Sequence, residues 1–388
     1  MGKLKYVFIF FAVSVMNVMS LFAIRVTHGP YLCNMSPNSV TVVWVTDKPA
    51  VAWVEYMEAA DKSFYCEEHP QVYDCVNGRR RALSTLHRVT LKNLKPGMRY
   101  QYRIFSKETL QWNSDGDVRF GKTVASNVYS AKPYSFRTFG NTDENVSFVM
   151  FNDIHGRNEV METLAGSVDF TALDFVVFNG DMSSSVESEE QLFADYIDTA
   201  VDLFAKETPI MFCRGNHEPR GKFSYSLIDY FPTSDGHFYQ LYKVGDVCFL
   251  VLDCGEDKVD SDIEYSGLAD FDAYREEEAE WVNKVVQSDV FKQAKARIVL
   301  SHIPFTTGDW HGALHLRKLL LPVLNRSNID LMLSGHEHVY SFHPVNDELR
   351  FPTIVNDNET LVKCNINQNG IQVEVIDLKG NVVYEYEF

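Results

Sequence analysis

The sequence carries little positive charge, which limits the partners it can bind. Its 36 lysines and arginines are outnumbered by 53 aspartates and glutamates, and the formal net charge is −17. Because such a surface repels polyanions, the composition argues against nucleic acid as a structural partner and against binding to anionic membranes. A small anionic substrate stays compatible with this charge, because bound metal ions can reverse the sign of the field inside a site.

The sequence also lacks any Cys-x-x-Cys pair among its seven cysteines, and the odd number leaves at least one unpaired. Cys66 and Cys75 are close enough in sequence to close a local loop as a disulfide, which export would permit; two free thiols are the alternative. Cys213, Cys248 and Cys254 fall in or beside apolar runs, which predicts buried free thiols.

Only one apolar run is long enough to concern a membrane, and it lies at the N-terminus. Lys3 and Lys5 precede an apolar stretch over residues 6–18, which is followed by small residues. This layout predicts a secretory signal peptide over residues 1–23, and therefore a secreted or periplasmic protein without stable membrane insertion after cleavage. An uncleaved anchor is the alternative, although the run is short for a spanning helix.

Two patterns of hydrophobicity divide the rest of the chain. Residues 25–140 form short alternating segments separated by turn signals such as Lys95-Pro96-Gly97, which predicts an antiparallel β-sandwich. Residues 145–388 begin with apolar runs that alternate with helical patterns, which predicts parallel β-α-β units, and residues 351–388 return to strands. The polar residues 140–144 between the two parts are predicted to be a linker.

Five apolar runs of the second part end in side chains that can bind a metal. These ends are Asp153-Ile154-His155, Gly180-Asp181, Gly215-Asn216-His217-Glu218, His302 and Gly335-His336-Glu337-His338. Ligands collect at the carboxyl ends of parallel strands, where neighbouring strand ends are about 5 Å apart. Imidazole, carboxylate and amide groups favour Zn, Mn, Fe or Ni over Ca or Cu(I). A carboxylate such as that of Asp181 is suited to bridging two ions.

Each of these segments alone has an ordinary structural explanation. Gly-Asp is a common turn, and a single histidine after an apolar strand, such as His302, is more often a hydrogen-bonded core residue. The combination of five such ends, in this order, is what predicts a metal site.

The series resembles the calcineurin-like metallophosphoesterase superfamily, and with the preceding β-sandwich the chain is similar to purple acid phosphatases. The likeness covers about residues 25–345 and includes Gly29-Pro30-Tyr31-Leu32 and Val42-Val43-Trp44. It implies an α/β four-layer αββα sandwich preceded by an all-β, fibronectin-III-like sandwich domain. It further implies a phosphohydrolase that cleaves phosphate monoesters with a hydroxide generated at two divalent or trivalent metal ions, drawn from Fe, Mn, Zn or Ni.

The resemblance also implies a role for each residue of the site. One metal would be bound by Asp153, His155, Asp181 and His338, and the other by Asp181, Asn216, His302 and His336. The residues expected to act in catalysis are Asp181, His217 and His311, and those expected to contact the small phosphorylated substrate are Arg214, Asn216, His217 and His311. For His311 a surface-loop position is the alternative, and for Arg214 a structural ion pair.

One position departs from the purple members of the family. They carry a metal-binding tyrosine three residues after the bridging aspartate, where this chain has Ser184. His155 instead completes an Asp-x-His pair typical of the wider superfamily. A colourless phosphatase with open metal identity is therefore expected.

Two other functions remain open from the sequence. A phosphodiesterase or nucleotidase would share these motifs, because the substrate pocket is built from loops, here 254–267 and 306–311, in which Tyr265 and Trp310 can stack on a base. A non-catalytic surface-binding protein would be expected to have lost ligands, whereas this chain retains the full set.

Overall fold

The computed structural model describes residues 23–60, 63–65, 68–114, 116–126, 131–142 and 145–388. The predicted signal segment lies outside this range except for Ala23, as does Cys66, the partner proposed for Cys75. Cys213, Cys248 and Cys254 are buried and free, which confirms the prediction. Within the described range, no helix combines the length and the apolar character that a membrane crossing requires.

The main sheet of the first domain consists of antiparallel strands arranged around one long strand, Ser39–Glu58. The strands are β1 (Val26–Ser36), β2 (Ser39–Glu58), β3 (Gln71–Tyr73), β4 (Cys75–Val76), β5 (Arg79–Arg80), β6 (Ser84–Lys92), β7 (Arg99–Trp112), β8 (Val118–Ala125) and β9 (Tyr134–Arg137). The first half of β2 pairs with β1 and β6, and its second half pairs with β3 and β7. Trp44 is fully buried in the core of this domain, and its indole Nε1 donates to Ser106 Oγ at 2.9 Å.

The second domain contains two further groups of strands. They are β10 (Val146–Phe151), β11 (Phe175–Asn179), β12 (Ile210–Cys213), β13 (Gln240–Val244), β14 (Val247–Val251), β15 (Ala296–Leu300), β16 (Leu331–Ser334), β17 (Ser341–His343), β18 (Thr353–Val355), β19 (Thr360–Asn367), β20 (Gly370–Asp377) and β21 (Val382–Glu387). One sheet has the order β21-β20-β19-β10-β11-β12, and the other has the order β13-β14-β15-β16-β18-β17. Strands β10 to β12 are parallel, as are β14, β15, β16 and β18.

Helices cover the outer faces of both sheets. They are α1 (Asn158–Ala165), α2 (Glu189–Leu192), α3 (Asp198–Ala200), α4 (Leu227–Tyr230), α5 (Phe271–Val285), α6 (Asp289–Lys292) and α7 (His311–Leu324). Two π-helical segments, Phe193–Ile197 and Val201–Ala205, make residues 189–205 one continuous helix, and short 3₁₀ turns lie at Phe170–Ala172, Ser224–Ser226 and Ile263–Tyr265.

Side chains that alternate along the strands build the layers. On β10, Phe148 and Met150 pack in the core shared with Phe249 and Leu300 of the opposite sheet. Val149 and Phe151 point to the other face and pack with the helices within residues 158–205. A third cluster joins β14, β15 and β16 to α5 and α7. Two sheets with helices on both outer faces form the four-layer αββα sandwich, which confirms the predicted fold class.

The two domains are joined by more than the polar segment 140–144. Strand β1 pairs in parallel with β12 through Cys33 and Ile210, so the first domain extends the first sheet of the second. Tyr102 also donates its hydroxyl to the carbonyl of Lys206 at 2.6 Å. The polar composition of residues 140–144 does not reveal the pairing of β1 with β12, because these strands are about 180 residues apart in sequence.

Candidate metal centre

The five predicted strand ends meet at one edge of the sandwich, where ligands from the two sheets face each other. Asp181 Oδ2, after β11, lies 3.0 Å from His302 Nε2, after β15. Asp153 Oδ1, after β10, lies 3.2 Å from His338 Nε2, after β16. The sheets therefore supply ligands to a common site from opposite sides.

These side chains fall into two adjoining groups with metal-binding geometry. Within each group the ligand atoms lie within 4.8 Å of one another; the groups are Asp153, His155 and His338, and Asp181, His302 and His336. His217 lies within the same distance of His155 and Asp181, and so borders both groups. Asp181 Oδ2 is also 3.9 Å from His155 Nε2. The carboxylate of Asp181 thus stands between the groups.

Asn216 joins the second group through His336. Its Oδ1 lies 2.9 Å from His336 Nδ1, and its side chain is buried. The seven side chains predicted as metal ligands are therefore brought into one cluster.

The backbone at this edge is strained in the same way at five of the seven positions. The φ angles are positive at Asp153 (53°), His155 (50°), Asp181 (53°), His336 (74°) and His338 (54°). Residues with a Cβ rarely adopt this region, and each such residue costs about 1–3 kcal/mol. Strain of this kind, repeated within one cluster, indicates that the loops are shaped for a function rather than for stability.

Glycines next to the ligands make room for them. A Cβ on Gly180 would lie 2.5 Å from His302 Cγ, and one on Gly335 would lie 2.5 Å from Asp153 Oδ2. A Cβ on Gly215 would lie 2.3 Å from Asp181 Oδ1. The close approach of these loops therefore depends on the missing side chains.

Two buried polar atoms at the centre of the cluster have no hydrogen-bond partner among the described residues. They are Asp153 Oδ1 and His302 Nε2. Since His302 Nδ1 donates to the carbonyl of Asn179 at 2.7 Å, Nε2 is the nitrogen that faces the carboxylates and that a metal ion would bind in place of a proton. Buried unpaired polar atoms are costly, and a bound cation would satisfy both of these. The residues present therefore fit a metal.

The electrostatics of His302 lead to the same conclusion. Burial alone would lower the pKa of His302, but the neighbouring carboxylates of Asp181 and Asp153 raise it to about 10. The two acids thus hold a positive charge at this position even when that charge is only a proton. A metal ion would supply the same charge together with coordination bonds.

Glu218 organises the site from behind, a role that the sequence did not suggest. This buried carboxylate accepts hydrogen bonds from the backbone N–H groups of Gly215 at 2.8 Å, Asp181 at 2.9 Å and Met182 at 2.8 Å. It therefore holds the loops after β11 and β12 together. Its place within Gly-Asn-His-Glu was the available signal, but two of its partners, Asp181 and Met182, lie on a different strand end.

Asn152 supports Asp153 in a comparable way. Its Nδ2 donates to Asp153 Oδ2 at 2.7 Å, and its Oδ1 accepts from Asn356 Nδ2 at 2.9 Å. No motif marked this residue, because its partner lies 204 positions away.

Ser184 contacts two histidines of the cluster. Its Oγ lies 3.3 Å from His155 Nδ1, and its carbonyl accepts a hydrogen bond from His217 Nδ1 at 2.8 Å. His217 Nε2 is 3.8 Å from Asp181 Oδ2. The position that is tyrosine in the purple members therefore orients histidine rings here.

Arg214 lies outside the ligand cluster but lines the cavity beside it, and its predicted phosphate contact stays a prediction. Its Nε and Nη2 pair with Asp253 Oδ1 and Oδ2 at 3.0 and 2.8 Å. Its guanidinium also lies over the ring of Phe238 at 4.8 Å and near that of Tyr274 at 5.7 Å. One edge of the guanidinium is used in this ion pair, and its face packs on the rings, as the structural alternative expects.

The cation beside His217 is instead Arg220. Its Nη1 lies 3.0 Å from His217 Nε2, and its Nε and Nη2 donate to the carboxylate of Glu256 at 2.9 and 2.8 Å. The spacing of three residues after His217 was available in the sequence. The two arginines differ in their acidic partners, which are Glu256 for Arg220 and Asp253 for Arg214. Only the tertiary structure determines these partners.

His311 is held by side chains other than the candidate metal ligands, and its predicted contact with substrate stays a prediction. At the start of α7 its Nε2 lies 2.8 Å from Asp272 Oδ1 on α5, and its ring stacks on that of His315. Because Asp272 occupies the ring nitrogen, His311 belongs to a separate cluster of side chains.

A cavity of about 900 Å³ opens beside the cluster at Ser184. Its wall includes Arg220, Tyr265, Phe271 and Tyr274. Tyr265 therefore lies where a substrate group could pack, although its hydroxyl is hydrogen-bonded to Glu256. Trp310, more than half exposed, is not among the residues that line this cavity.

Comparison with known proteins agrees with this architecture. The calcineurin-like phosphoesterase family matches residues 146–340, and the purple acid phosphatase N-terminal domain matches residues 30–138. Acid phosphatase type 7 of Mus musculus is 27% identical over 191 residues, and that of Homo sapiens is 26% identical. Each alignment covers 48% of this chain and 39% of the relative, so the match spans about two fifths of the relatives' length.

A solved structure extends the comparison to both domains. Purple acid phosphatase PPD1 from yellow lupin (Lupinus luteus) superposes with a TM-score of 0.64, covering 92% of this chain and 73% of that one at 15% identity. At this identity the likeness establishes the fold alone. Since the family match spans half of the sequence and includes every candidate metal ligand, the chain belongs to the calcineurin-like phosphoesterase family and carries the N-terminal domain of purple acid phosphatases.

Proposed function

We propose that this protein is an exported dinuclear-metal phosphohydrolase that cleaves phosphate monoesters. The observation that carries the proposal is the pair of adjoining ligand groups around two buried, unpartnered polar atoms. One ion would be held by Asp153, His155, Asp181 and His338, and the other by Asp181, Asn216, His302 and His336. The mixed imidazole, carboxylate and amide donors suit Fe, Mn, Zn or Ni.

When bound, a metal pair supplies an activated water and neutralises charge on the phosphoryl group. Asp181 stands between the two groups of ligands and is positioned to be shared by both ions. Glu218 keeps the backbone on either side of Asp181 in place. The rigid frame orients the substrate's phosphoryl group, which is the main protein contribution to phosphoryl transfer.

His217 is suited to proton transfer to the leaving group. Its Nδ1–H is held by the carbonyl of Ser184 at 2.8 Å, so Nε2 is turned toward the cluster. With a proton at Nε2, the ring can donate to the oxygen that leaves the phosphorus. Arg220 Nη1 donates to the same Nε2 while Glu256 holds the other two nitrogens of the guanidinium. Protonation of Nε2 therefore requires Nη1 to turn away, and a phosphate oxygen would offer it an alternative acceptor.

The cavity beside Ser184 favours a second candidate, a phosphodiesterase or nucleotidase of the same family. At about 900 Å³ it exceeds what a phosphate group needs, and its tyrosine and phenylalanine rings can pack against a nucleobase or a second ester group. A non-catalytic binding role does not explain the strained backbone and the unpartnered ligand atoms.

Phosphate release from a nitrophenyl monoester and its bis-ester tests the proposal. The protein is assayed at several pH values with Mn, Zn, Fe or Ni, beside Asp181→Asn. Asp202→Asn makes the same chemical change on an exposed helix position and serves as the matched control. Monoester turnover that is lost only in Asp181→Asn supports the proposal. Preference for the bis-ester supports the second candidate, and metal-dependent activity on neither ester overturns both.

A further inference from the structure

A second cluster of metal-ligating side chains lies outside the candidate centre. It consists of Asp272, in the first turn of α5, and His311 and His315, in the first turns of α7. His311 and His315 are four residues apart, so they lie on the same face of the helix. One ligand atom from each of the three residues lies within 4.8 Å of the others.

The distances between these atoms are close to those that a tetrahedral ion requires. His311 Nε2 and His315 Nδ1 lie 2.8 and 3.0 Å from Asp272 Oδ1. Ligands about 2.0–2.1 Å from a tetrahedral zinc are roughly 3.3 Å from one another. An ion would therefore need the side chains to move apart by only a few tenths of an ångström. The ligand pairs of the candidate centre, at 3.0 and 3.2 Å, have similar spacing.

His315 has the same unpartnered nitrogen that marks the candidate centre. Its Nδ1 is buried and makes no hydrogen bond among the described residues, although Asp272 Oδ1 is 3.0 Å away. This nitrogen therefore lies near the carboxylate without the geometry of a hydrogen bond, and the same is true of His302 Nε2 beside Asp181 Oδ2. An ion placed beside Asp272 would give this nitrogen the partner that it lacks.

The protonation states of the cluster suit an ion. Burial lowers the pKa of His315, which favours the neutral ring that a metal needs. Burial alone would raise the pKa of Asp272, but its hydrogen bond with His311 and the nearby charges lower it, so its carboxylate stays ionised.

One neighbouring group opposes the ion. Arg275 is fully buried, and its Nη1 lies 2.8 Å from Asp272 Oδ1. Its Nε donates to the carbonyl of Cys254 at 3.0 Å, so the guanidinium cannot leave easily. This charge offsets that of Asp272, and binding here should be weaker than at a centre with two uncompensated carboxylates.

We propose that Asp272, His311 and His315 form a further binding site for a divalent transition metal of the imidazole-preferring class, such as Zn²⁺, separate from the candidate dinuclear centre. Three protein ligands leave a fourth coordination position for water or for an anionic group of another molecule. An ion at this site links the N-terminal turns of α5 and α7.

Zinc counting on the full chain tests this site without reference to activity. Metal-stripped wild type, His315→Ala and His343→Ala are dialysed against the same series of free Zn²⁺ concentrations, and bound zinc is measured by mass spectrometry. His343 lies on β17, outside both clusters, and serves as the matched control. We expect His315→Ala to bind about one zinc fewer per chain than the other two, as removal of one of three ligands predicts.

A second variant guards against a folding defect in His315→Ala. Asp272→Asn preserves side-chain shape and should show the same loss. In an Asp181→Asn background, Zn²⁺ should still raise the thermal unfolding midpoint, and adding His315→Ala should abolish that rise. Equal zinc content in wild type, His315→Ala and Asp272→Asn at every concentration would overturn the proposal, whether or not the protein is a phosphatase.

Discussion

His155 Nε2 and His338 Nε2 face each other across 3.2 Å at the ends of two different sheets. Asp153 Oδ1 lies 3.2 Å from the second of these nitrogens and 3.9 Å from the first. Two neutral imidazoles at this distance either share a proton or direct their lone pairs at one cation. With a carboxylate beside both, the arrangement favours a cation.

Removing His155 should affect one metal, whereas changing Asp181 should affect both. We expect His155→Ala to retain about one of two bound ions, because the ligands around His302 stay intact. At comparable free metal, Asp181→Asn should lose both ions of the centre. Adding His315→Ala to both variants removes the separate site at Asp272, His311 and His315 from the count. Metal content per chain, measured after dialysis, checks this, with Asp202→Asn as the control. Equal losses in the two variants would contradict a shared role for Asp181.

His217→Ala should keep the metals and lose turnover. His217 contacts Ser184 and Arg220 and is not a member of either proposed ligand set. Loss of a positioned proton donor typically lowers turnover by about 10²–10⁴-fold. Metal content and turnover are measured on the same sample, beside His343→Ala, a half-buried histidine on β17 whose Nε2 lies 2.9 Å from Ser341 Oγ. A metal-free His217→Ala protein would contradict this division of roles.

Gly180→Ala should disturb the centre more than a matched glycine elsewhere. Gly180 has φ +80°, and an added Cβ would lie 2.5 Å from His302 Cγ. Gly236 has φ +84° and nothing within 4 Å of its would-be Cβ. The positive φ should lower the free energy of unfolding of both variants by about 1–3 kcal/mol. Any further loss of stability in Gly180→Ala therefore measures the clash with His302.

Urea unfolding and metal content measured on both variants separate these effects. We expect only Gly180→Ala to lose metal. Equal metal retention would mean that His302 can shift without affecting the ligand set.

The iron-loaded protein should lack the visible absorption band of proteins in which a tyrosinate binds iron. The proposed ligand set contains no tyrosine, and the position that would supply one is Ser184, whose Oγ lies 3.3 Å from His155 Nδ1. A visible absorption spectrum of protein with measured iron content checks this. A strong visible band that survives replacement of the cavity residue Tyr265 by Phe would point to an iron–tyrosinate bond elsewhere and would contradict the ligand assignment.

His87 should make the stability of the protein depend on acidity. Burial lowers its pKa to about 3 from the ordinary 6.5, and its Nε2 lies 2.8 Å from Thr46 Oγ1. The unfolded chain takes up this proton near pH 6.5, whereas the folded chain does so only near pH 3. The free energy of unfolding should therefore fall as pH drops through this window, by up to about 1.4 kcal/mol per pH unit from this group.

Urea unfolding at a series of pH values measures that slope. His87→Gln, which cannot take up the proton, should flatten the pH dependence. An equal slope in wild type and His87→Gln would show that other groups cause the dependence.

The motifs found in the sequence were sufficient to predict which side chains meet in the cluster. Each of Asp153, Asp181, Asn216, His302 and His336 follows a run of apolar residues, and parallel strands bring such ends to one edge. A local pattern is enough here, because the strand that carries each ligand also determines where it lies. The same reasoning predicted the β-sandwich and the parallel units.

The orientation of the polar side chains was decided only by tertiary structure. Arg214 and Arg220 both flank His217, but Arg214 is held by Asp253, 39 residues away, while Arg220 projects beside the imidazole. His311 likewise faces Asp272, also 39 residues away.

The sequence by itself determined which residues stand at the strand ends, because strand-forming patterns are local. Only the tertiary structure decided which atoms meet there. Glu218 joins two loops through backbone N–H groups, and β1 extends the catalytic sheet by pairing with β12. Hydrogen bonds and ion pairs between distant segments depend on both partners being placed by the fold, and no spacing within one segment encodes that placement.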